Sequence, residues 1–192
     1  EELGKGLVVE PYLPTVVLFG GLVAHAGNEA QRAAVLPKLI EGGVLGAFAF
    51  VERQSRFEIT DCKTSAAADG DGYTLNGEKV VVFNGENADH LVVLARTSGG
   101  LFDRDGLSLF LVAADAVGVG KVPYPMMDAG RVANITFDNV KLSADALLGE
   151  AGKAMDTVDI VIREATIAIA AEAVGIMSVL NAKTLEYSKT RE

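Results

Sequence analysis

Arg53 and Arg56, three residues apart, are where this 192-residue chain most openly offers chemistry. A guanidinium is a planar fork that matches phosphate oxygens, so the pair reads either as a phosphate contact or as surface arginines of one turn. Phe57 beside them, and Phe83 further on, are candidates to line an apolar pocket, with core packing the expected default for phenylalanine. Glu164 lies in a long helical stretch, where its carboxylate is either a general base or a solvated or ion-paired helix residue. Arg191 falls at the end of that stretch, where a cation suits the negative end of the helix dipole. The single cysteine, Cys62, and the two histidines, His25 and His90, have no metal-ligand spacing, so no metal site is expected. Gly99-Gly100 and the Gly118-x-Gly120 pair lack the strand-glycine-helix context that cradles a phosphate and read as turns.

The elements that must position these residues emerge from pattern. Residues 1 to about 45 read as helices. Thr15 to Ala26 is apolar, and Asn28 with Gln31 forms a capping box before Ala33, Ala34 and Leu36. Pro37 is expected to interrupt that helix and Gly42-Gly43 to end it. Residues about 46 to 148 alternate short β-type runs with Gly and Asp turns, among them Leu91 to Ala95, Leu107 to Val112 and Asn134 to Phe137. This spacing predicts an antiparallel barrel or sandwich. Asn76-Gly77 predicts a two-residue hairpin turn between Tyr73 to Leu75 and Lys79 to Phe83. From Gly152 to about Lys189 the pattern is helical and apolar on more than one face, which calls for burial among other helices. Too few other helices exist here to bury it, and an apolar helix left on the surface exposes an unusually large patch. The fold class is therefore α+β.

Composition narrows the function classes. Hydrophobic residues make up 49% of the chain, enough to fill one sizeable core. The net charge of -9 argues against a nucleic-acid partner. One cysteine excludes an intramolecular disulfide framework and points to a reducing, cytoplasmic compartment; Cys62 itself reads as a small half-buried residue. The apolar stretch Tyr12 to Ala26, broken by Pro14 and Gly20-Gly21, falls short of the roughly 18 residues of a membrane span. No membrane association is expected.

Order and spacing together carry a resemblance. Glu1-Glu2-Leu3-Gly4, the Phe50 to Lys63 stretch, the segment Asp69 to Arg96, the Gly106 to Val112 strand, Leu147-Leu148-Gly149-Glu150 and the long helix ending at Arg191 together resemble the acyl-CoA dehydrogenases. These are FAD flavoproteins that oxidise the Cα–Cβ bond of acyl-CoA thioesters. The resemblance implies the end of an N-terminal helical domain over residues 1–45, a β-barrel middle domain over 46–148, and the first helix of a C-terminal bundle over 149–192. It thus implies the middle of a longer protein or a truncated product, with self-association through the helix as the alternative.

It also implies site residues. The cofactor-facing positions are Phe48, Phe50, Val51, Arg56, Phe57, Val81 and Phe83, with Arg191 placed to reach the FAD pyrophosphate of a neighbouring subunit. Yet the chain departs from the pattern at those positions. Val51-Glu52-Arg53-Gln54-Ser55-Arg56-Phe57-Glu58 stands where many members have Thr-Glu-Pro-x-x-Gly-Ser-Asp, and Val81-Val82-Phe83 stands for Trp-Ile-Thr, while Asn84 and Gly85 are kept. Ala165 occupies the position that holds the base in a minority of members, and Thr166 the next one, usually arginine in the family; in most members the base is a glutamate further along, beyond Glu192. Glu164, one residue away, is turned by about 100° on a helix. No residue is a convincing base.

These departures lead to the expectation of a flavin-site-degenerate subunit of a heteromeric acyl-CoA dehydrogenase. Its substrates would be bulky or dicarboxylic acyl-CoA thioesters such as those of sterol side chains, and its partners a homologous subunit and an electron-transfer flavoprotein. Two alternatives stay open: a self-sufficient dehydrogenase with its catalytic glutamate beyond residue 192, and a non-enzymatic scaffold on the same fold.

Overall fold

A computed structural model describes residues 1–127 and 130–191. Helix α1 (Glu2–Lys5) leads to a rare π-helical segment, Tyr12–Gly20, continued by α2 (Gly21–Ala26). Helix α3 (Glu29–Ile40) opens on the expected capping box, Gln31 N donating to Asn28 Oδ1 at 2.9 Å and Asn28 N to Gln31 Oε1 at 2.8 Å. Pro37 does not interrupt it. The ring removes one N–H, but the Pro37 carbonyl still accepts from Glu41 N at 3.1 Å and the helix runs on to Ile40. Gly42 and Gly43 then close it, donating to the carbonyls of Leu39 and Lys38.

Among the described residues eight strands follow α3: β1 (Gly46–Ala49), β2 (Ser65–Asp69), β3 (Gly72–Phe83), β4 (His90–Arg96), β5 (Leu107–Ala113), β6 (Val119–Pro125), β7 (Arg131–Leu142) and β8 (Leu147–Leu148). They form one sheet in the order β6-β7-β3-β2-β4-β5-β8, with β1 alongside β4. Most pairings are antiparallel as expected, but β1 and β2 each pair with β4 in parallel. The sheet folds over itself, so that Ile135 and Phe137 of β7 join Leu91 and Val93 of β4 and Phe110 of β5 in one core. On the other face of β4, Val92 and Leu94 meet Phe19, Leu22 and Val23, and Val158 and Val161 of the last helix. Leu91 to Ala95 is continuously apolar because both its faces are covered.

The hairpin turn is not at Asn76-Gly77. Asp69 pairs with Gly72 across Gly70-Asp71, and β3 runs unbroken through Asn76 and Gly77. Gly77, at φ +145°, lies against Thr64, whose Cα would be 2.7 Å from any added Cβ. Asn76 accepts from the amide of Asn139 at 2.8 Å, where β7 bulges. Close approach and a bulge, not a turn, explain the dipeptide.

Helix α4 (Ala154–Thr190) is 37 residues long. Its first turns pack on β5, α2 and the π-helical segment, burying Met155, Val158, Val161 and Ala165. Further along, Gly175 and Gly4 let α4 and α1 touch: a Cβ on Gly175 would collide with the Glu1 carbonyl oxygen, and one on Gly4 with that of Glu172. Beside and beyond this contact Val174, Met177, Leu180, Leu185 and Tyr187 are exposed. The expected burial among helices is not met within this chain. By length and composition α4 would also pass for a membrane span, but its N-terminal turns are packed on the sheet.

Candidate functional site

The site starts from a bulge. Lys79 pairs with Ile135 and Val82 with Ala133, so Val80 and Val81 both stand opposite Asn134. A strand without the bulge would put Lys79, Val81 and Phe83 on one face. With it, Lys79, Val80 and Val82 are buried while Val81 and Phe83 turn outward. Val81 takes φ +53°, a left-handed conformation that is a genuine outlier for a β-branched residue.

Facing it is the segment after β1. Val80 N donates to Val51 O at 2.8 Å, which fixes Val51 beside the bulge. The chain then turns through Ser55, whose hydroxyl accepts from Glu52 N at 3.0 Å and donates to Glu52 O at 2.9 Å. Arg56 at the turn has φ +50°. Left-handed non-glycine residues cost on the order of 1–3 kcal/mol each and gather where function requires them. Here two of them flank one cleft.

That cleft holds about 400 Å³ and is lined by Phe50, Val51, Ser55, Arg56, Phe57, Ile59, Val81, Phe83 and, from α4, Ile162. It is in the size range of small-molecule sites. Six of the eight residues anticipated from sequence therefore converge. Phe48 does not line the cleft; it is buried behind it, stacked on Phe50 with ring centroids 4.6 Å apart. Phe57 and Phe83 are not core residues. Phe57 is fully exposed at the rim and Phe83 is 43% exposed, because the Arg56 turn and the Val80–Val81 bulge point both outward.

Charges at the rim divide. Arg53 pairs with Glu78 at 3.4 Å on the surface. No hydrogen bond or ion pair engages the Arg56 guanidinium among the described residues. Arg191 is away from the cleft, past the last turn of α4, its guanidinium 5.9 Å from the Tyr187 ring centroid. Glu164, about 200° around α4 from Ile162, faces α2 and meets His25 Nε2 at 3.1 Å. None of the residues lining the cleft is a carboxylate.

Behind the cleft lies a buried polar knot that sequence reasoning missed. Lys79 Nζ, fully buried, donates to Glu52 Oε1 at 2.8 Å, Phe50 O at 3.3 Å and Cys62 Sγ at 3.4 Å. The Glu52 carboxylate also accepts from Lys63 N, Thr64 N and Gln54 Nε2 at 2.7–2.9 Å. Burial alone would raise the Glu52 pKa. The Lys79 charge and hydrogen bonds from Lys79, Gln54 and Thr64 override it and hold the carboxyl at about 2. Burial pushes the Cys62 thiol up, so it remains protonated; it is fully rather than half buried. The signal for Lys79 was an ammonium amid valines, hidden because the bulge breaks the period that assigns faces. Ile162 is contributed from another element.

Comparison with known proteins matches residues 47–140 to the acyl-CoA dehydrogenase middle domain. The chain belongs to the acyl-CoA dehydrogenase family. The short-chain specific acyl-CoA dehydrogenase of Megasphaera elsdenii is 33% identical over 181 residues, 92% of this chain and 47% of that protein. The solved butyryl-CoA dehydrogenase of Megasphaera elsdenii superposes with TM-score 0.90 at 30% identity, covering 98% of this chain and 50% of that one. A structure described as the electron transferring flavoprotein of Acidaminococcus fermentans contains a chain with TM-score 0.91 at 28% identity, covering 100% of this chain and 51% of that one. This family member thus spans about half the length of the relatives it matches.

Proposed function

We propose that this chain supplies one wall of a flavin site in an acyl-CoA dehydrogenase assembled from homologous subunits, as the subunit whose own site is degenerate. The observation that carries this is the chemistry of the cleft. Phe50, Val81 and Phe83 offer an apolar wall suited to the plane of a flavin ring, and the free Arg56 guanidinium suits the phosphates of FAD. The only hydroxyl among the lining residues, that of Ser55, is spent on the backbone of Glu52, and no carboxylate is there to take a substrate α-proton. The apolar ring fits; its hydrogen-bonding edge finds few partners.

In this reading Phe50, Val81 and Phe83 would exclude water from a flavin ring and Arg56 would hold its phosphate end, and FAD bound there would supply a hydride acceptor. Proton abstraction falls to a carboxylate outside residues 1–191. Arg191 contributes to a neighbour's pyrophosphate, and residues 1–45, 46–148 and 149–192 act as the end of a helical domain, the middle domain and the start of a bundle. Acyl-CoA is the substrate class, an electron-transfer flavoprotein the acceptor, and the free, buried Cys62 suits a cytoplasmic location. A self-sufficient dehydrogenase is the second reading, favoured by the 33% identity to a short-chain specific enzyme.

The test is the visible spectrum of the protein purified alone and with a homologous subunit. The flavin band appearing only in the complex is expected. Stoichiometric flavin with turnover on the protein alone would overturn the degenerate-subunit reading in favour of the second.

A further inference from the structure

We infer that the Glu52–Lys79 ion pair is a positioning device that holds the two walls of the cleft in register. This rests on the cleft being the functional site proposed above. Lys79 sits two residues before Val81 on the β3 wall. Glu52 sits next to Val51 on the opposite wall.

The pair is saturated. All three ammonium hydrogens of Lys79 find an acceptor, and one of them is the backbone carbonyl of Phe50, itself a cleft residue. Both oxygens of Glu52 gather donors from the far side of the segment: Thr64 N at 2.9 Å on Oε1, Lys63 N at 2.8 Å on Oε2. One carboxylate therefore fixes where the segment from Phe50 to Thr64 begins and where it ends. Between those points the chain makes the left-handed turn at Arg56 that throws Phe57 out to the rim.

A buried pair of this kind is a poor means of stabilisation, because desolvation offsets much of the attraction and well-packed apolar residues often serve as well. Its distinctive contribution is direction. Strained backbone at Arg56 and Val81 persists only if surrounding contacts over-determine it, and the pair links both of these positions. Lys79 is fully buried, Glu52 is buried but for 4% of its surface, and neither lines the cleft, so they act through Phe50, Val51 and Val81 as positioning residues.

This 192-residue chain contains no tryptophan, so Phe83→Trp in it gives a single reporter on the cleft wall. In that background Lys79→Met is expected to raise acrylamide quenching about twofold and to speed exchange of the Lys63 and Thr64 amides, as local opening would. The double variant Glu52→Gln with Lys79→Met removes both charges and keeps approximate shape. It is expected to regain most of the thermal stability while retaining the raised quenching and fast exchange. Parental quenching and exchange in the double variant would overturn the inference, since any neutral filling would then do. Should Lys79→Met fail to fold, the double variant alone decides. Flavin absorbance, followed in the Phe83 background with the homologous subunit present, separates the two readings. A colourless parent with altered quenching in the double variant sinks the flavin proposal and leaves the positioning role standing. A coloured double variant with parental quenching does the reverse.

Discussion

The cleft and the outer half of α4 both present apolar side chains to solvent, and they are built in opposite ways. Around the cleft the backbone is forced: a bulge at Val80–Val81, left-handed turns at Val81 and Arg56, and a desolvated ion pair behind. Along α4 from Ile167 to Ser188 the helix is regular, and its hydroxyl residues Ser178, Thr184 and Ser188 only return hydrogen bonds to carbonyls one turn back. The helix face is apolar surface left uncovered within this chain. The cleft is apolar surface given a concave shape at a cost in backbone energy. Shaping, more than exposure, marks the site.

The strongest way to break that comparison is to remove the charge behind the cleft. Lys79→Met leaves Glu52 buried without its counter-ion and is expected to cost about 3–5 kcal/mol, measured by chemical denaturation. A loss below about 1 kcal/mol would mean that Glu52 is not held ionised by Lys79. Acid tests the same pair from the other side. The folded-state pKa of Glu52 is depressed from 4.5 to about 2, so its contribution is complete above pH 4.5 and is lost as pH falls through 2. At about 1.36 kcal/mol per pH unit that is roughly 3 kcal/mol, to be read from denaturation midpoints across that window. In Lys79→Met the dependence should largely vanish.

Two neighbouring valines sharpen it further. Val82 is buried on ordinary backbone, and Val82→Gly is expected to cost about 3 kcal/mol. Val81→Gly should cost less than about 1 kcal/mol, because release from a left-handed conformation offsets the lost contact. Equal losses would show that Val81 is not strained. The smallest effect belongs to α4: Met177→Lys and Leu180→Lys, both on exposed positions, should each change the stability of this chain by less than about 0.5 kcal/mol, with self-association by light scattering reduced or unchanged. A loss of several kcal/mol would mean that the face is covered in the folded molecule.

Much of the molecule is legible in its amino-acid sequence. The Asn28–Gln31 box, the apolar run Leu91 to Ala95 and the helix ending near Lys189 are readable because local hydrogen bonding and hydrophobic period act over a few residues. The cleft's membership is readable through resemblance, since six of its lining residues lie in two short segments. Ile162 and Ile59 are not, because neither has a local signal. Sequence misplaces the turn because Asn-Gly satisfies a bulge as well as a hairpin, and only the pairing partner tells which. Pro37 reads as a breaker because local propensity does not see that the helix needs just three more residues.

The sequence by itself determined the α+β order of elements, the presence of a glycine- and asparagine-punctuated sheet and an apolar helix too long for its company. Only the tertiary structure decided that Lys79 faces inward while Val81 and Phe83 face outward. One extra residue opposite Asn134 reverses the parity of a strand, and that residue is specified by β7, some 50 positions away. Likewise Glu52 could be read as any surface carboxylate until the fold brought Lys79, Cys62 and Thr64 around it, because a charge is committed to the interior only by partners that arrive from elsewhere in the chain.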